Sequence, residues 1–177
     1  MVSRSLVVFL VACGGSSGNE TGDVTPFIGM YSTTSHTRAG VQGDNIKCAD
    51  PGQPVTNATP YFRLAVYSFF QDPDVLSVSN CTDAAGTACT ETSVTLRAGG
   101  PGLEEENANS STGDGSLCQL YFTHTEATLT GGTIEIETLD KYASPSVSSS
   151  DCTLQRAEAL ASSPDCREVE RWVGARQ

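Results

Sequence analysis

Positive charge is scarce in this chain. Its 177 residues include 10 Lys and Arg against 21 Asp and Glu, a formal net charge of −11. Neutralising a phosphate backbone needs a basic face, and ten scattered cations do not build one, so nucleic acid is excluded as a partner. Long hydrophobic runs are missing too. The stretch Leu6 to Ala12 falls far short of the roughly 20 residues that cross a bilayer, which excludes a polytopic helical membrane protein. There is no phosphate loop ending in Gly-Lys and no Cys-x-x-Cys. Serines are abundant but lie in linkers, without a His and an acid in recognisable triad order. The acidic clusters Asp72 with Asp74, Glu104-Glu105-Glu106 and Asp114 do not fit a calcium-loop spacing and read as solvated charge. No enzyme activity and no cofactor is expected.

What is present begins at the N-terminus. Arg4 precedes the apolar stretch Leu6 to Ala12, and small residues follow, the layout of an export signal. Leu10-Val11-Ala12-Cys13 resembles the lipobox of bacterial lipoproteins. That resemblance implies cleavage before Cys13 and acylation of its thiol. Residues 1–12 are then a signal peptide, and 13–25 the lipidated Cys with a flexible Gly/Ser tether. Two or more acyl chains anchor a protein stably where one does not. With Gly14, and no Asp, after the Cys, the resemblance implies a place in the outer membrane of a Gram-negative cell envelope. Twelve residues is short for a signal peptide, so Met1 is read as an internal start. The small lipoproteins that the body resembles carry no assigned function.

Seven cysteines is an odd count for an exported chain, and lipid on Cys13 leaves six. Cys81 and Cys89 flank a small-residue loop and are expected to pair. Cys152 with Cys166, and then Cys48 with Cys118, are the remaining candidates. The spacing argues against a metal site: His36 and His124 lie far from the cysteines, and each reads as a polar strand-end residue. As a metal or acid/base pair the two would have to meet, with a third group such as Glu126.

Residues 26–177 read as one β-rich domain. Strands are expected at 26–36, at 61–70 with Phe62, Leu64, Val66 and Phe70 on one face, at 75–81, and at 93–97 with Val94 and Leu96 inward. The strand 61–70, apolar on both faces, reads as central. Residues 40–60 and 99–116, rich in Gly, Pro and polar types, read as loops. Across 117–130 the inward set shifts from Cys118, Leu120 and Phe122 to Ala127 and Leu129, implying a bulge near His124–Glu126. Gly131-Gly132 marks a hairpin. From about residue 151 the pattern turns helical: one helix capped by Asp151, a second opened by Pro164 with Cys166, Val169 and Val173 as its stripe and Trp172 beside them.

The expected fold is therefore mainly β, an antiparallel barrel or sandwich of about six to seven strands with C-terminal helices, stapled by disulfides. Gly29-Met30-Tyr31 is similar to the Gly-x-Trp opening of lipocalins, which implies a small-ligand carrier. The expected function is a lipid-anchored, non-enzymatic binding or interaction module, with a protein partner or a small apolar ligand. An exported hydrolase using His36 or His124 is the third reading.

Mass spectrometry of the mature protein should find acyl chains on an N-terminal Cys13, and Cys13→Ser should move the protein from the membrane to the soluble fraction.

Overall fold

The computed structural model describes residues 23–40, 45–67, 72–99, 102–112, 117–143 and 147–177; Cys13 and the tether residues 13–22 lie outside them. The strands, in chain order, are β1 (Gly29–Ala39), β2 (Ile46–Lys47), β3 (Gln53–Pro54), β4 (Tyr61–Val66), β5 (Val75–Cys81) and β6 (Cys89–Gly99). They continue with β7 (Gly102–Thr112), β8 (Leu117–Thr130), β9 (Thr133–Tyr142), β10 (Val147–Ser148), β11 (Asp165–Cys166) and β12 (Glu168–Arg176), and α1 (Leu154–Glu158) is a short helix.

Eight of these strands form a closed antiparallel barrel. β1, β4, β5, β6, β7, β8 and β9 each pair with the next, and β12 closes the ring between β9 and β1. This is the up-and-down way of removing sheet edges. β10 adds to the start of β8, and β3 pairs with β1. The barrel expectation holds, with eight strands. Gly131 and Gly132 both take positive φ in the β8–β9 turn, as the hairpin reading requires.

One end of the interior is packed with apolar side chains. Tyr31, Phe62, Leu64, Leu76, Val78, Leu96, Leu103, Ala127, Ile134, Ile136 and Trp172 form a single core with Val24 and Phe27. The 3₁₀ turn Thr25–Phe27 closes that end, with the Tyr31 hydroxyl donating to Phe27 O at 2.7 Å. Arg176 lies over the Tyr31 ring and donates to the Ile28 carbonyl at 3.0 Å, tying β12 to this plug. In the closing seam Gly174 faces Phe62, whose ring atoms would sit 2.5 Å from a Cβ there.

Three expectations are corrected. Residues 163–177 do not form a second helix. Val169, Trp172 and Val173 fit a helical stripe, but β12 instead gains hydrogen bonds from β1 on one side and β9 on the other. Residues 99–116 are not a surface loop, because β7 occupies Gly102–Thr112 and carries Glu104-Glu105-Glu106; Asp114 lies outside the described residues. The helix after 151 is shorter than expected, α1 followed by a 3₁₀ turn at Ala159–Ser162. Its N-cap is Thr153, whose side chain accepts from Arg156 N, while Asp151 ends the preceding turn.

The inward set along β8 does not shift, and its register against β7 and β9 runs without the expected bulge; only the apolar residues change face. Cys118, Leu120 and Phe122 point out of the barrel, where Ala157 of α1 covers Cys118 and Leu120 in a second, outer core. Thr125 and Ala127 point in. The Lys141 ammonium, beside the Phe122 ring, donates to Ala161 O and Ser163 O at 2.7 and 2.9 Å and holds this strap down.

Cys81 pairs with Cys89 as expected. The other pairs are exchanged: Cys48 joins Cys166, and Cys118 joins Cys152. Sheet register is the reason. β11 pairs with β2 so that Cys166 opposes Ile46, two residues from Cys48. β10 lays Val147 against Cys118, just before Cys152.

The Cys48–Cys166 bridge spans 118 residues and Cys81–Cys89 spans 8, so their loop-closure effects should differ. Replacing Cys48 and Cys166 together with Ser should cost roughly 2–5 kcal/mol, and more than the Cys81/Cys89 double replacement, in urea unfolding.

Candidate functional site

The other end of the interior is polar and hollow. A cavity of ≈ 490 Å³ is bounded by inward residues of β6 to β9, β12 and β1. Four carboxylates line it, Glu105, Asp140, Glu168 and Glu170, with Arg38, Tyr121, Tyr142 and a set of Thr and Ser hydroxyls.

Two bulges build this site. On β1, register shifts between Thr33 and Ser35, so one strand residue is absorbed at Thr34, whose hydroxyl donates to Val173 O at 3.0 Å. Tyr31 faces inward before the bulge, and His36 and Arg38 face inward after it. Strict alternation from Tyr31 would send both outward. On β6, register against β5 slips between Ser77 and Ser79, where Thr92 donates to Val78 O at 2.8 Å. Among the described residues β6 then pairs with β7 only from Arg97 to Gly99. Beyond that short ladder the two strands part, and Ser93, Val94 and Thr95 face Glu105 and Asn107 across the cavity.

On the β1–β12 side the wall is locked by one carboxylate. Glu170 Oε1 lies 2.7 Å from His36 Nε2 and 2.5 Å from an Arg38 NH₂. The Arg38 Nε lies 3.1 Å from Glu168. His36 is stacked on Trp172, ring centres 5.0 Å apart, its side chain 8% exposed. Burial opposes the charge on Glu170, but the hydrogen bonds from His36 and Arg38 outweigh it and hold this carboxyl below its ordinary pKa.

The remaining carboxyls titrate the other way. Burial raises Asp140, with Glu170 adding repulsion against the opposing bond from Thr123, whose hydroxyl lies 2.7 Å away. Burial also raises Glu168, which feels Glu170 and Asp140, and Glu105, which Arg97 offsets in part from 3.2 Å. Burial, then Asp140, raises the Tyr142 phenol. Tyr142 stands 6.0 Å from Tyr121, ring to ring, beside these acids. Such a lining can hold a cation. Carboxylates supply the charge, aromatic faces add cation–π attraction, and a cation relieves the repulsion among the acids.

The two histidines do not meet. His36 points into the barrel from β1, whereas His124 points out from β8, where Glu104, Glu106 and Glu126 surround it. Asp72 and Asp74 form a turn: Asp72 accepts from Asp74 N at 3.0 Å and pairs with Arg97, which together lower its pKa. Sequence reading missed Arg38, Glu105, Asp140, Glu168, Glu170 and both tyrosines. Their signal was a two-residue period of polar residues, Glu168-x-Glu170 and Thr138-x-Asp140-x-Tyr142, which marks an inward face only if the interior is polar.

Comparison with protein-family models, with curated proteins and with solved structures finds no match. The eight-strand up-and-down barrel is the architecture that the likeness to lipocalins implies, and this agreement is one of architecture alone.

The titrations set a pH signature. Asp140, Glu168 and Glu105 hold protons more tightly folded than unfolded, so their ionisation opposes folding and lowering pH from 7 towards 5 should raise stability. Glu170 acts with the opposite sign; its contribution, present above the ordinary carboxyl pKa, is lost as pH falls through its lowered value. The urea midpoint should therefore peak on the acid side of neutrality, and Asp140→Asn should raise it at pH 7 and flatten the rise.

Proposed function

We propose that this protein is an exported, lipid-tethered binding barrel whose polar interior takes a small cationic, hydrogen-bonding ligand without turning it over. The observation that carries this reading is the lining of the cavity: four partly or mostly buried carboxylates and two tyrosines around a space of ≈ 490 Å³. That volume lies in the usual range for small-molecule sites, about 300–1,000 Å³. The lining favours a polar cation over the apolar ligand that a filled or greasy barrel would suggest. An ammonium entering here replaces water with carboxylate contacts, and charge-assisted hydrogen bonds of this kind contribute about 1.5–3 kcal/mol each.

Anchoring at Cys13 is the second part of the proposal and rests on the lipobox-like Leu10-Val11-Ala12-Cys13 and on the odd cysteine count, the other six being paired with one another. An acidic body is repelled by an anionic membrane, so acyl chains rather than charge would keep it there.

Trp172 is the sole tryptophan and stacks on His36, which bonds Glu170 in the cavity wall, so its fluorescence reports on the site. Titration with small arylalkylammonium compounds that carry N–H donors should give saturable quenching or enhancement. Asp140→Asn and Glu168→Gln should each weaken binding tenfold or more, the effect of losing one charge-assisted contact of at least about 1.5 kcal/mol. A neutral alcohol of the same shape should bind poorly. Preferential binding of a long-chain fatty acid would refute the cationic assignment.

A further inference from the structure

The outer wall of the barrel holds a second cluster, away from the cavity. Glu104 and Glu106 stand two apart on β7, and β8 lays Glu126 opposite Glu104 and His124 opposite Glu106. All four therefore project from the same outward face. Ligand atoms of Glu104, Glu106 and His124 lie within 4.8 Å of one another.

We propose that this cluster is a site for one divalent transition-metal ion of the zinc type, held by His124 Nδ1, Glu104 and Glu106. Three independent observations point there. First, His124 Nδ1 is buried and has no hydrogen-bond partner, and the ring as a whole is 20% exposed. A shielded ring nitrogen without a partner is costly, and a metal ion satisfies its lone pair. Second, the spacing is that of co-ligands. Nδ1 lies 3.3 Å from Glu106 Oε1 and 3.6 Å from Glu104 Oε1, without forming a hydrogen bond to either. Two ligands bound at about 2.0–2.1 Å to one tetrahedral ion are separated by about 3.4 Å.

Third, the local charge is unbalanced. Glu104 opposes Glu126, and Glu126 opposes Glu137, like charges directly across a ladder, which destabilises a sheet. Glu137 is paired with Arg171. Arg97 opposes Glu104 in register, yet its guanidinium is engaged by Asp72 and Glu105. Among the described residues no Lys or Arg forms an ion pair with Glu104, Glu106 or Glu126, and a bound dication would supply the missing charge. Glu126 lies 3.9 Å from the other ring nitrogen, Nε2, longer than a hydrogen bond but on the side from which a carboxylate can orient a metal-bound histidine. Glu104 and Glu106 are well exposed, which leaves a coordination position open to water or to a group from a partner.

The test is zinc titration by calorimetry on the mature, untagged protein after dialysis against a chelator. One saturable equivalent per chain is expected. His124→Asn should abolish it, Glu106→Gln and Glu126→Gln should each weaken it tenfold or more, and Glu135→Gln, an outward acid on β9 beyond the cluster, should leave it unchanged. Calcium in large excess should not displace the zinc, because imidazole selects the softer ion. No saturable binding overturns the site, as does equal binding by the His124→Asn and parent proteins, which marks diffuse attraction to an acidic surface. Circular dichroism of each variant verifies that a loss is local, and because the carboxylate variants remove no buried apolar area, they retain the test if His124→Asn fails to fold.

Discussion

The seam between β12 and its two neighbours is the constraint on which the barrel depends. Without β12, β1 and β9 are long edges with open backbone donors and acceptors, and the apolar core faces water along the gap. With it, the ring is closed, Trp172 completes the core, and Glu168 and Glu170 reach the cavity. The seam itself needs a residue without a side chain at Gly174, since the Phe62 ring fills the space a Cβ would take. Apolar packing at one end secures closure, which permits the other end to be lined by groups that oppose folding on their own account.

That division of labour explains the polar cavity. Burying carboxylates is unfavourable, and the raised titrations of Asp140, Glu168 and Glu105 are the sign of it. The barrel holds them because the opposite end buries its apolar side chains almost completely. Bulges direct the remaining geometry. One residue at Thr34 turns His36 and Arg38 inward to secure Glu170, and the slip near Thr92 separates β6 from β7. The strap from β10 through α1 to β11 then covers the outer wall, tied at its ends by Cys118–Cys152 and Cys48–Cys166.

The legibility of the elements follows the same physics. Phe62 and Leu64, Val94 and Leu96, and the Gly131-Gly132 turn were readable because an apolar face or a positive φ leaves a local mark. β7 was not, since its inward residues include Glu105 and Asn107 and its outward ones Glu104 and Glu106, so no alternation of polarity survives. The change of apolar face along β8 was visible but assigned to a bulge. Two covers on opposite faces, the barrel core and α1, yield the same pattern as a kink under one cover. Residues 168–176 fit a helical stripe through Val169, Trp172 and Val173, and equally a strand covered on both faces, with Val169 and Val173 on one side and Trp172 on the other; only long-range ladders distinguish them.

By itself the sequence established a β-rich, acidic body, a local Cys81–Cys89 loop and the glycine hairpin, because each depends on residues near one another in the chain. Closure by β12, the exchange of the long-range cysteine partners, and the gathering of Glu105, Asp140, Glu168 and Glu170 around one space were decided only by the tertiary structure. Their physical origin is register: which residue faces which across a ladder is set by the whole ring, and one bulge changes it for every residue beyond.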